Sequence, residues 1–390
     1  MVRMSARRLL TPPERLRRGP FRVDAFRSKL HDERVAAWLG MALGVTFTIC
    51  FATGLLSHLI QHPPSFFQWP ARPAGLYRVT QGLHVTTGLA SIPLLLAKLW
   101  AVYPHLWTWP PIRDFAHLVE RISLVPLVAG SLFLLFTGLA NISLWYPWRF
   151  FFPAGHYSAA WITMGALIVH VVAKWAVFRA GIARENTSPN RVTLERRRFL
   201  SLIGGVAGLV VATTVGQTVG PLRRVALLAP RRPDVGPQGF PVNKTAAEAR
   251  VIEAALSATY RLVVDGNVMT PLSLTLDEVH ALPRRTATLP IACVEGWSVS
   301  KTWTGVAVRD LLDLAGASQD AEAVVESLQP RGLFKRSDLS RLHAADRDTL
   351  LAFEVDGEEL HLDHGYPIRL IGPNRPGVMQ TKWVARLTVA

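Results

Sequence analysis

The chain has 390 residues, is 49% hydrophobic, has a mean hydropathy of +0.23 and carries a formal charge of +15. That is too apolar for an average soluble domain, and two cysteines exclude a disulfide framework. The basic residues bracket long apolar runs instead of gathering on a soluble domain, which excludes a nucleic-acid binder and fits a membrane protein with basic cytoplasmic loops.

Residues 1–34 contain RRLLTPPERLRR and read as a basic cytoplasmic N-terminus. Four apolar runs follow within 35–178, at 35–60, 78–102, 118–141 and 157–178. Each is long enough to cross a bilayer as a helix. Pro63-Pro64, Pro104, Pro110-Pro111, Pro147 and Pro153 mark the breaks. Trp69, Tyr77, Trp100, Tyr103, Trp145, Tyr146 and Trp148 fall at the run ends, as in an interfacial belt. Cys50, inside the first run, reads as a small buried hydrophobe.

Residues 179–222 hold a basic loop and a fifth run at 199–220. Starting inside, four crossings return the chain to the cytoplasm at this loop, and the fifth carries everything beyond it outside. Arg196-Arg197 sit within ERRRFL ahead of a Gly/Ala-rich core, which resembles a twin-arginine export signal retained as an anchor. Gly204 and Gly208 form a small-xxx-small pair suited to close helix packing. Residues 223–239, rich in Pro, Gly and Arg, read as a linker.

Residues 240–390 have the composition of a soluble domain. The pattern predicts strands at 260–264, 350–355, 368–370 and 383–389, with a turn at Asp265-Gly266-Asn267. It predicts a Thr-capped helix at 275–281 and a helix at 306–315 ended by Gly316. Strands mixed with short helices imply an α+β domain.

Within this domain, LPIACVEGWSVSKTWTG places the single cysteine Cys293 at the end of an apolar run, ahead of Glu295-Gly296-Trp297-Ser298 and a Trp303-Thr304-Gly305 turn. The closing stretch is HLDHGYPIRLIGPNRPGVMQTKWVARLTV, and the opening one is FPVN. Together these resemble the molybdopterin domain of the sulfite oxidase family over nearly all of 240–390. The resemblance implies that Cys293 ligates molybdenum, and that Asn243, His364, Arg369 and Lys382 hold the cofactor. Soft thiolate suits such a metal, and a guanidinium with a lysine suits an anionic pterin phosphate. The additional dimerisation domain of eukaryotic members and their tyrosine beyond the KW motif are not expected here. Arg331, Arg336 and Arg375 are candidates for a substrate arginine by location, and each reads as a solvated charge. Sulfite and S- or N-oxides both stay open as substrates.

Histidines within apolar helices are functional candidates. His84 and His156 fall at the same depth on runs of the same direction. His170 lies 14 positions beyond His156, about 21 Å further along one helix face. This region resembles di-haem b-type cytochrome subunits, which implies His84, His156 and His170 as haem ligands. The position facing His170 carries Lys98, with His31 as a substitute ligand, and His58 is a further outer candidate. His62, His105 and His117 read as interface residues.

The expected protein is a five-helix, all-α transmembrane bundle joined to an α+β sulfite oxidase-like molybdopterin domain. It is multi-pass in the cytoplasmic membrane, with the C-terminal domain outside. Its expected activity is oxygen-atom transfer on a small oxyanion or S-/N-oxide. Molybdopterin and haem b are the expected cofactors, and a quinone or redox protein the electron partner. The alternative is a non-catalytic membrane protein with a degenerate pterin module.

Overall fold

A computed structural model describes residues 19–22, 25–183 and 191–390. RRLLTPPERLRR and residues 184–190 of the basic loop lie outside them. The helices are α1 (Glu33–Gln61), α2 (Leu76–Val102), α3 (Phe115–Ile142), α4 (Phe152–Ala183) and α5 (Arg191–Thr214). All five lie in stretches long and apolar enough to cross a membrane. Pro153 does not break α4: it sits in the first turn, where proline's missing N–H is harmless. Pro93 and Pro126 lie inside α2 and α3.

The chain forms two compact units, Met1–Ala52 with His84–Thr213, and Thr53–Leu83 with Thr214–Ala390. In the first, Val35, Leu39 and Leu43 of α1 pack on Leu94, Leu95, Ala97 and Ala101 of α2, with Phe199, Leu200 and Ile203 of α5 against them. Large apolar side chains such as Leu132, Ile162, Val172, Leu202 and Leu209 face outward, exposed. Arg196 is ion-paired with Asp32.

The second unit contains β1 (Leu262–Gly266), β2 (Leu272–Leu274), β3 (Arg284–Ala292), β4 (Ser298–Ala307), β5 (Ala323–Ser327), β6 (Arg336–Leu339), β7 (Leu350–Val355), β8 (Glu358–Glu359), β9 (Arg369–Ile371) and β10 (Val384–Val389). One sheet has the order β2-β1-β10-β5-β6, with β1 and β10 parallel. The other has the order β3-β4-β7-β8, with β9 paired to β7. Short helices intervene. Leu276–Ala281 is capped by Thr275 and Glu278 in a reciprocal capping box, as its Thr-x-x-Glu spacing dictates. Val308–Leu314 ends before Gly316 at φ +69°. The main core gathers Leu262, Val264, Leu311, Val325, Phe353 and Leu387.

Trp303-Thr304-Gly305 is not a turn, as the sequence suggested, but lies within β4. The ladder to β7 shifts register between Thr304 and Gly305. A Cβ on Gly305 would meet the Leu351 carbonyl oxygen at 2.2 Å, so glycine is there for close strand approach.

The α1–α2 connection belongs to this second unit. Asn374, 1% exposed and at φ +55°, is enclosed by it. Its side chain accepts from the Tyr77 N–H at 2.6 Å and donates to Pro70 O at 2.6 Å. Its own N–H donates to Ala74 O, and its carbonyl accepts from Trp69 Nε1 at 2.8 Å. Arg72 adds ion pairs to Asp346 and Asp348.

Candidate functional site

Strands β3 and β4 pair from Arg284↔Val306 to Ala292↔Ser298, so the five residues between them form a tight tip. Cys293 N–H donates to Trp297 O at 3.0 Å, and Gly296 N–H, at φ +83°, donates back to Cys293 O at 3.1 Å. Cys293 is thereby fixed and 2% exposed. Asn243 Nδ2 donates to its sulfur at 2.9 Å, although 50 positions separate them. Burial, with Glu295 adding to it, pushes the thiol up to about 12. A thiolate at this position therefore calls for a cation to stabilise it.

The second part of the site is the HGYPIR loop. His364 is 1% exposed and stacks on Phe240, with ring centroids 3.6 Å apart and planes 9° apart. Its Nε2 lies 2.8 Å from Pro237 O. Burial drops its pKa to about 3, so the ring is neutral and Nε2 carries the donated proton. Arg369 opens β9, is 6% exposed, and donates from Nη1 to His364 O at 3.1 Å. Its Nε has no partner, and no carboxylate pairs with it among the described residues. Lys382 Nζ donates to Lys244 O at 2.5 Å and Asp363 O at 2.8 Å. Burial and nearby Arg369 lower Lys382 to about 7. Gly365, at φ +119°, lets these elements close up: a Cβ there would lie 3.2 Å from Cβ of both Arg369 and Lys382.

This half of the molecule thus holds a buried thiol and a buried Arg369 that no carboxylate pairs with among the described residues, with Lys382 beside it. Buried cations without counter-charges are costly unless a ligand supplies them. The donor set fits an anionic, thiolate-ligated metal cofactor.

Several neighbours did not stand out in the sequence as site residues. Glu295 is 8% exposed and accepts from Trp297 Nε1 at 3.2 Å, with Arg231 Nε at 3.8 Å. Burial raises its pKa. Its place two residues after Cys293 was the available signal, whereas Arg231 sits in the linker and offered none. Gln81 Nε2 donates to Val294 O at 3.3 Å, and Tyr77 packs beside Ala292, so α2 touches both neighbours of Cys293. Among the three arginine candidates, Arg331 is exposed and Arg336 pairs with Glu326 at 2.6 Å. Arg375 departs from expectation: it is 4% exposed, buried by the 372–380 loop and β6.

In the first unit, His84 and His156 come together, with ring centroids 6.4 Å apart. His84 Nδ1 lies 2.8 Å from Cys50 O, and His156 Nδ1 lies 3.1 Å from Thr137 Oγ1. Cys50 is therefore not a bland packing residue: it is half-buried, with Sγ 3.5 Å from His84 Nδ1. His170 is not brought to this pair, and its buried Nδ1 has no partner among the described residues. Lys98 Nζ donates to Ala36 O at 2.6 Å, and His31 Nδ1 lies 3.3 Å from Ala101 O. His58 and His62 have ring centroids 4.9 Å apart.

The sequence pattern of the oxidoreductase molybdopterin binding domain family matches residues 248–390. YedZ1 of Azospira oryzae, named a "putative protein-methionine-sulfoxide reductase subunit", is 34% identical over 155 residues, covering 38% of this chain and 56% of that protein. Human mitochondrial sulfite oxidase is 31% identical over 158 residues, covering 34% of this chain and 29% of that enzyme. The sulfane dehydrogenase SoxCD structure from Paracoccus pantotrophus aligns at 28% identity and TM-score 0.31, covering 35% of this chain and 40% of that one. The chain thus spans little more than half of the first relative and under a third of the second. Residues 248–390 therefore match the oxidoreductase molybdopterin binding domain family, and the chain is similar there to molybdenum oxidoreductases such as sulfite oxidase.

Proposed function

We propose that the protein is a membrane-anchored molybdopterin oxidoreductase that reduces S-oxides outside the cytoplasmic membrane. The observation that carries this reading is Asn243 donating to the sulfur of buried Cys293, beside a cradle of Lys382 and a buried Arg369 that no carboxylate pairs with among the described residues. In it, Cys293 ligates molybdenum, while Asn243, His364, Arg369 and Lys382 hold the pterin. The bound cofactor supplies two-electron oxygen-atom transfer. The chain's residues do the rest. Asn243 orients the thiolate, and the Cys293–Trp297 turn fixes its backbone. Arg369 and Lys382 neutralise the anionic ligand, and neutral His364 packs on Phe240 to wall it in.

Glu295 bears on the substrate. It puts a buried acidic side chain two residues from the metal ligand. Arg331 and Arg336 lie exposed on the surface, and Arg375 lines a separate cavity. Burial raises the Glu295 pKa and Arg231 stands 3.8 Å away, so the pair presents little net charge, which suits a neutral oxide. The name of the Azospira relative points the same way.

The membrane arrangement draws on two supports. Charge puts the N-terminus and the basic loop inside. The α1–α2 connection then lies outside, and its hydrogen bonds to Asn374 support the C-terminal domain being on that same side. Arg196-Arg197 act as a twin-arginine signal for the folded domain. Replacing both with lysine keeps the charge and blocks export of a C-terminal reporter; normal export leaves only charge-directed insertion.

His84 and His156 would hold a b haem, which would supply one-electron transfer within the helical unit. Their ring centroids stand 6.4 Å apart, which supports the two residues holding one group together. Each Nδ1 is engaged by a protein oxygen, which orients the ring in the manner of ligating histidines. A membrane quinone or a redox protein is the electron partner.

Turnover separates the substrate classes. The purified enzyme should reduce methionine sulfoxide and dimethyl sulfoxide with a viologen donor and leave sulfite unoxidised. Sulfite oxidation without sulfoxide reduction would reverse the assignment.

A further inference from the structure

The second unit holds a cavity of about 330 Å³ whose lining does not include Cys293, His364, Arg369 or Lys382. One side is apolar. Phe67 and Trp69 stack with centroids 6.5 Å apart and planes at 15°, and Ile60 and Met379 extend this wall.

Arg375 is the exception in that lining. It is 4% exposed. Among the described residues only Nη2 is hydrogen-bonded, to the carbonyls of Asp338 at 2.9 Å and Met379 at 3.0 Å. Nε has no partner, and among the described residues no carboxylate lies within 4.0 Å of the guanidinium. A buried guanidinium in this state is expensive, because its lost hydration is only partly replaced. His343, also in the lining, does not share the positive charge, since burial lowers it to about 3. Asp338 and Glu322 line the cavity as well, and both are exposed.

We propose that this cavity binds a small zwitterion with an apolar side chain, an α-amino-acid-like ligand. Its carboxylate meets Arg375, its ammonium faces Asp338 and Glu322, and its apolar body lies on Phe67 and Trp69. Simpler ligands use only part of the lining. An inorganic oxyanion leaves the aromatic wall idle and meets the rim acids unfavourably. A fatty acid fills the aromatic wall and Arg375 but gives the acids Asp338 and Glu322 no partner. The volume suits a small organic molecule. The assignment is independent of the molybdenum chemistry.

Titration calorimetry on the full-length, detergent-purified protein tests this with three probes: L-norleucine, hexanoate without the ammonium, and hexylamine without the carboxylate. L-norleucine should bind, and both truncated probes should bind more weakly. Arg375→Met should weaken norleucine roughly tenfold or more, as expected for a lost charge-assisted contact. Ser65→Trp, at an exposed lining position, should obstruct binding without disturbing buried packing. It serves as the check if Arg375→Met fails to fold. No norleucine binding to the wild type overturns the site. So does norleucine binding that survives both variants unchanged. Equal binding of hexanoate overturns the zwitterion assignment.

Discussion

Tyr77 and Asn374 are joined by a 2.6 Å hydrogen bond from the Tyr77 backbone N–H to the Asn374 side-chain oxygen. The bond ties the first turn of α2 to a loop nearly 300 residues away. Because the same asparagine also donates to Pro70 O, one side chain pins both ends of the 70–77 stretch.

Asn374→Ala should therefore destabilise the second unit by about 2–4 kcal/mol, since it leaves a buried N–H and a buried carbonyl unpaired. The φ of +55° adds strain for alanine. Thermal unfolding followed through Trp69 and its neighbours reads the change. A melting temperature equal to wild type would show that the stretch is held by other contacts.

Arg369→Ala and Lys382→Ala should each yield protein depleted in pterin, not slower chemistry on loaded protein. Each removes a charge-assisted contact of roughly 1.5–3 kcal/mol. Gly365→Ala should do the same indirectly, by forcing a Cβ against both residues at a backbone angle alanine tolerates poorly. Fluorescence of the released, oxidised pterin measures occupancy. Full occupancy in all three variants would remove these residues from the cradle.

Acid should loosen the second unit through its buried histidines. His364 and His343 are each held at about 3, against an ordinary value of about 6.5. Between those values the unfolded chain takes up protons that the folded one does not. Their stabilising contribution is thus complete above about pH 6.5 and falls as pH drops toward 3, by at most roughly 1.4 kcal/mol per unit per group. Denaturant midpoints measured across this window should fall with acidity. The slope should be shallower in His364→Gln, and an identical slope there would exclude a contribution from His364.

A pyridine haemochrome assay should detect b haem in wild-type protein, and His84→Ala or His156→Ala should abolish it. We expect one haem, because His170 stands apart from the pair and Lys98 is bonded to Ala36. Haem-free wild type after expression with ample haem would leave the helices as an anchor.

Much of the architecture was legible in the chain. The five apolar runs and the Thr275 capping box follow from local composition and short-range hydrogen bonding, which sequence encodes directly. Long-range placement was not. Arg375 read as a solvated charge because nothing nearby in sequence shows that β6 and the 372–380 loop close over it. The α1–α2 connection read as a proline break, and its seat on Asn374 is invisible to local pattern. Asn243 was linked to the cysteine through resemblance, and the fold supplies the 2.9 Å contact. Glu295 was in view but unweighted, because its burial depends on the tip between β3 and β4. Gly305 looked like a turn residue, whereas β7 makes it a point of close strand approach.

The most direct test of the central claim is molybdenum content with the Mo(V) resonance spectrum, on full-length wild type and Cys293→Ser. The account predicts molybdenum in stoichiometric amount in the wild type. In the serine variant it predicts a folded protein with a shifted spectrum and no activity, because an alkoxide is a harder donor than a thiolate. Molybdenum-free wild type loaded in a competent host, or a serine variant with an unchanged spectrum, would contradict it.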